Sequence, residues 1–134
     1  MSQENVETVR RGHTAFNTGN LDGLADVVTD DVSWGTSGAF PGLSASYRGP
    51  EGVISWASDV RSVWTSFRVS IDEVIFVGPE QAVIVELIEG LGRESGAAVD
   101  LRAFSVYAFR DGRIAARQAF FEKSEALDAA GLRE

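Results

Sequence analysis

The stretch "VDLRAFSVYAFRDGRIAARQAFFEK", residues 99–123, decides the fold. Two runs rich in aromatic and β-branched residues flank Arg110-Asp111-Gly112-Arg113. Asp-Gly suits a type I′ turn, whose two central residues both take positive φ, so the stretch reads as a β-hairpin. With a two-residue turn, Arg110 opposes Arg113, and the register pairs Tyr107 with Ala116, Ser105 with Gln118 and Ala103 with Phe120. That set is expected to form an inward wall. The opposite face carries Arg102, Phe104, Val106, Arg117, Ala119 and Phe121, as a solvated or subunit-contacting surface would. A bulge at the turn would exchange the two faces.

Upstream, "FRVSIDEVIFVG" and "QAVIVELIEGLG" read as two further strands bounded by Gly-containing turns. In the second, Val83, Val85, Leu87 and Leu91 share a side with Glu89, whereas Ile84, Glu86 and Ile88 share the other. Before these strands the period changes. Val6, Val9, His13 and Phe16 recur at helical spacing, and Gly19 supplies a stop. Asn20 can cap a short second helix through Leu21, Leu24, Val27 and Val28. "DDVSW" reads as a strand ending at Trp34. Residues 35–49, rich in Gly, Ser and Ala, form a long irregular connection of the kind that serves as a binding loop or lid. Pro50 opens a third helix with Val53, Trp56, Val60, Val63 and Trp64 on its apolar stripe. Ser124 can cap a short final helix that Gly131 ends. Helices first and long hairpin strands after them predict an α+β fold, helices packed on one face of a curved antiparallel sheet.

Bulk properties bound the function. At 134 residues the chain is expected to be a single domain, 1–134. A net charge of −8, with its 12 basic residues scattered, argues against nucleic acid and anionic membrane surfaces. No cysteine and one histidine leave no thiolate or His-rich metal site, and no spacing for an oxygen-only site is present, so no metal and no cofactor is expected. The polar, acidic "MSQENVETV" does not read as a signal peptide, and no apolar run approaches the ~20 residues of a membrane span. A cytoplasmic protein is the expectation.

The order of elements, with "RRGHTAFNTGNLDGL", "YRGPEGV", "VYAFRDGRI" and "SEALDAAGL", resembles the SnoaL-like, ketosteroid isomerase-like branch of the nuclear transport factor 2-like superfamily. The resemblance runs from about Val6 to Leu132. It implies a cone: a bent sheet wrapped round three helices, with a mostly apolar cavity at one end and dimerisation through the outer sheet face. It does not choose a function, since that superfamily holds isomerases, cyclases, hydrolases, dehydratases and binding domains.

The resemblance places Trp34 and Trp56 on the cavity lining, closed by Tyr107 and Phe120, which suits a flat and largely hydrocarbon ligand. Packing alone would explain each aromatic equally well. The aspartate base, tyrosine and protonated acid of the ketosteroid isomerases fall here near Thr36, on Gly12 and on Ser105, so that mechanism is not expected. Ser105 and Gln118 can hydrogen-bond a carbonyl without titrating near neutral pH. Either Glu86 or Glu89 faces the cavity mouth; each carboxylate meets water or an arginine near a sheet edge, or Glu89 lies partly desolvated beside Tyr107 and acts as a base. His13 is either a ring-sized filler or, with Glu89 or a water, a proton carrier. Two functions follow: a dimeric module binding a small hydrophobic, carbonyl- or polyketide-like molecule, or an acid–base cyclase, isomerase or dehydratase. They differ in whether His13 meets a carboxylate inside the cavity.

Overall fold

The computed structural model describes residues 2–36 and 43–132. The elements are α1 (Ser2–Thr18), α2 (Leu21–Asp26), β1 (Val28–Gly35), β2 (Ser46–Arg48), α3 (Gly49–Val63), β3 (Trp64–Gly78), β4 (Gln81–Gly92), β5 (Ala98–Arg110), β6 (Arg113–Phe120) and α4 (Lys123–Ala129). The fold is α+β, as expected. One six-stranded sheet runs β2-β1-β6-β5-β4-β3 and does not close.

The helices bury the stripes their spacing implies. On α1, Val9 and Phe16 are buried in the main core, and Gly19 ends the helix at φ +77°. Asn20 accepts a hydrogen bond from Gly23 N at 3.0 Å and so caps α2. That helix stops at Asp26, so Val27 and Val28 pass into the sheet rather than continuing the helix. On α3, Val53, Trp56, Ala57 and Val60 face inward, while Trp64 already begins β3. Buried Asn5 and Thr8 tie α1 to the sheet by donating to Pro79 O (3.0 Å) and Gly112 O (2.7 Å). At the other end of the chain, Glu122 occupies the position before α4, and Ser124 lies inside that helix instead of capping it.

The sheet departs from expectation in two ways. It is mixed, because β1 runs parallel to β6 and antiparallel to β2. The segment expected to be wholly irregular therefore contributes a short strand, Ser46–Arg48; its centre, residues 37–42, lies outside the described residues.

The second departure is in register. The turn is as predicted, with Asp111 at φ +55°, Gly112 at φ +77° and Arg110 opposite Arg113. Beyond it, Phe109 pairs with Ile114 but Ala108 pairs with Ala116, so Ala115 is an extra residue on β6. Tyr107 consequently faces Arg117 rather than Ala116, and Ser105 faces Ala119 rather than Gln118. Phe120 faces Phe104 rather than Ala103. One inserted residue exchanges the faces of a strand, because side chains alternate with a period of two. Arg117 and Ala119 therefore join the inner surface, with Phe121 just beyond, and Gln118 and Phe120 leave it.

The outer surface has its own small core. Val83 packs there with Ala126 and Ala130 around α4, flanked by Phe104, Val106 and Phe120. That explains why β4 is apolar on both faces and why its alternation is hard to read. No helix among the described residues is long and apolar enough to cross a membrane.

Candidate functional site

The site is built around a buried carboxylate. Glu86 lies at the middle of β4, between Ile84 and Ile88 on the inner face, and is 2% exposed. An isolated charge there would be prohibitively desolvated. It is not isolated. Its Oε2 accepts hydrogen bonds from His13 Nε2 at 2.6 Å and from Tyr107 OH at 2.7 Å. Its Oε1 accepts one from Ser105 Oγ at 2.7 Å, and Arg117 Nη2 stands 3.9 Å away. Cross-strand pairing accounts for the grouping. Glu86 sits opposite Ala103 and Ile84 opposite Ser105, so the inner faces of β4 and β5 are in step, while α1 brings His13 over them.

Burial alone would raise the Glu86 pKa, but the hydrogen bond and charge of His13, the charge of Arg117 and the Ser105 hydroxyl more than offset it, lowering it to about 2. Glu86 is thus ionised throughout the physiological range. Tyr107 moves the other way: burial and the neighbouring Glu86 charge push its phenol well above the usual value, so it remains a donor. His13 is the more accessible partner, its side chain 14% exposed against 2% for Glu86. A carboxylate only accepts, so His13 Nε2 must carry a proton; Nδ1 makes no hydrogen bond among the described residues.

Beside this group lies an internal space with about 50 Å³ of free volume, lined largely by apolar side chains. Trp34 and Trp56 stand 5.2 Å apart, Phe16 stacks on Trp56 at 5.0 Å, and Tyr107 meets Trp34 edge-on at 6.4 Å. Val69, Ile88 and Phe121 also line it, with Leu43 from the connection before β2.

The residues singled out in the sequence are therefore sorted by the structure. His13, Trp34, Trp56 and Tyr107 line one space, and Ser105, fully buried, bonds the carboxylate behind it. Gln118 lies outside, its side-chain amide donating to Thr36 O at 3.1 Å, and Phe120 packs in the outer cluster near α4. Glu89 is exposed, with Arg68 and Asp100 as its strand neighbours. It shares its face with Val83 and Val85, which turn outward. The carboxylate beside Tyr107 is Glu86, and the inward cation is Arg117; sequence reasoning chose neither. A glutamate flanked by apolar residues on both sides, in "VIVELIE", was the available signal for the first. For Arg117 there was none, since nothing in "RIAARQAF" marks Ala115 as the bulge.

A model of the SnoaL-like domain matches residues 9–117. The chain belongs to the SnoaL-like family. Its fold is shared by many solved structures. A nuclear transport factor 2-like protein of unknown function from Burkholderia pseudomallei superposes with a TM-score of 0.78 at 24% identity, over 93% of this chain and 95% of that one. TerC, co-crystallised with polyporic acid, gives 0.78 at 18% identity over 96% and 98%. A Mycobacterium tuberculosis protein in complex with estradiol-17β-hemisuccinate gives 0.72 at 14% identity over 89% and 94%. These likenesses establish the fold. No curated protein matches the sequence significantly. Among the described residues of this SnoaL-like chain, no cluster of His, Cys, Asp and Glu could hold a metal ion.

Proposed function

We propose that this SnoaL-like protein is an acid–base enzyme that removes and returns a proton beside the carbonyl group of a small, largely apolar molecule, as in an isomerisation, cyclisation or dehydration. The observation that carries this reading is the 2.6 Å contact between His13 Nε2 and Glu86 at the wall of an aromatic-lined space. A domain that only binds has no need to place an imidazole against an ionised carboxylate at its pocket wall. The pair does here what carboxylate–histidine pairs do in general: Glu86 holds the Nε2–H, leaving Nδ1 to exchange a proton with the substrate. Once the proton has moved, the imidazolium is stabilised by the same carboxylate. Tyr107 and Ser105 hold Glu86 in place and are positioning residues.

The relatives with polyporic acid and the estradiol hemisuccinate support a small-molecule ligand. A free volume of about 50 Å³ is well below the ~300–1,000 Å³ usual for drug-sized ligands. The substrate is therefore small, or wall side chains yield when it enters. The same reading places the protein in the cytoplasm as a homodimer joined through the outer face of the sheet.

The test uses 2-tetralone as a small carbonyl probe, following exchange of its α-hydrogens with solvent deuterium by NMR. The wild-type protein is expected to accelerate exchange over buffer, and His13→Gln, which keeps an N–H donor for Glu86 but cannot carry a proton, to lose at least tenfold of that acceleration. Equal rates for wild type and His13→Gln, both folded by thermal unfolding, would remove His13 from the chemistry and leave the binding-module reading.

A further inference from the structure

Two buried N–H donors lie at the aromatic wall. The Nε of Arg117 and the indole Nε1 of Trp34 have no hydrogen-bond partner among the described residues. Buried donors are almost always satisfied, and orphans mark a missing acceptor. The two belong to touching side chains. The Arg117 guanidinium carbon stands 4.9 Å from the Trp34 ring centre and 5.3 Å from that of Trp56, so the cation rests against both indoles.

Arg117 is also far from saturated. It has five N–H donors in a rigid fork. One bonds Gly35 O at 3.1 Å. Its nearest carboxylate oxygen, Glu86 Oε1, is 3.9 Å off, an ion pair without a hydrogen bond. Glu86 already accepts hydrogen bonds from His13, Tyr107 and Ser105, so it offers Arg117 its charge but no hydrogen bond. What remains is a cation, 9% exposed, in the wall of the internal space, with unused donors on an aromatic bed.

We propose that Arg117 is the specificity-determining residue of this site, selecting a planar ligand that carries an anionic oxygen, a carboxylate or an enolate. A purely hydrocarbon ligand would leave both orphan donors unmatched. An anionic oxygen on Arg117 satisfies the guanidinium with charge-assisted bonds while its ring lies among the indoles. The inference rests on the acid–base reading only in sharing its pocket, and its ligand class holds with or without turnover.

The test compares isosteric pairs that differ in charge: benzoate with benzamide and 2-naphthoate with 2-naphthamide. Saturation-transfer NMR and tryptophan quenching give the affinities for wild type, Arg117→Gln and Arg117→Lys at pH 7.5. Wild type is expected to prefer each acid over its amide by about tenfold or more. Arg117→Gln should lose that preference while still taking the amides, and Arg117→Lys should keep part of it. Equal binding of acid and amide by wild type overturns the proposal, as does binding of neither or a preference that survives in Arg117→Gln. Were Arg117→Gln to misfold, the wild-type comparison still decides. Deuterium exchange of 2-tetralone that persists while acid preference fails sinks this inference alone.

Discussion

Glu86 ties the stability of the fold to the chemistry of the site. In the folded chain it loses its proton at about pH 2, whereas an ordinary glutamate does so near 4.5. Between these values the unfolded chain binds more protons, so stability rises with pH across the window and is complete above it. The contribution is on the order of 3 kcal/mol, fully present at neutral pH and lost as the pH falls through about 2. In Glu86→Gln this contribution is absent. Denaturant titrations from pH 2 to 7 should show the gap between wild type and Glu86→Gln widest near neutrality and closing toward pH 2. A gap independent of pH would mean that the ionised carboxylate contributes nothing. His13 makes a parallel case, since a phenylalanine there fills the ring space but removes a donor from a buried charge. His13→Phe is expected to lose about 3 kcal/mol, most of it recovered in His13→Gln, as read from urea midpoints.

At the scale of elements, the hairpin shows what a sequence displays and what it conceals. The Asp111-Gly112 turn was legible because positive φ at both central positions restricts the residues that fit there. The helical stripes were legible too, since Val9, Phe16, Val53, Trp56 and Val60 face a single core with a regular period. The bulge at Ala115 was not. Alanine fits either face of a strand, so no side chain of the wrong polarity betrays the slip, and the alternation alone puts Gln118 and Phe120 on the wall in place of Arg117 and Ala119. Glu86 stayed hidden for a related reason: the second small core under α4 makes both faces of β4 apolar, and alternation then says nothing about which way a glutamate points. Inserting one alanine after Ala116 should place the new residue opposite Tyr107, turning Arg117 outward and bringing Gln118 and Phe120 inward. The insertion is expected to abolish the acid preference of the ligand site and lower stability by several kcal/mol. Binding of benzoate by a folded insertion variant with wild-type affinity would contradict that account of the register.

For the whole molecule, the proposed dimer has a direct readout. Size-exclusion chromatography with light scattering should give about twice the 14.4 kDa of one chain. Replacing Leu91, 43% exposed on the outward side of β4, with glutamate should shift the population toward monomer without altering tetralone exchange. A monomer at all concentrations would leave the outer face without its assigned partner.

The parallel pairing of β1 with β6 has a consequence for how the protein is made. Strand β1 emerges among the first 35 residues, yet its partner on one edge is residues 113–120. Until those are synthesised, Trp34 faces no Arg117, and the edge of β1 is covered only on the side of the three-residue β2. The nascent chain therefore carries an unsealed strand edge from residue 35 until residues 113–120 have been made. Contacts of such long sequence separation form slowly and leave edges open to wrong partners. Ribosome-bound chains ending before residue 113 should thus be held by chaperones, and released once β6 has cleared the exit tunnel.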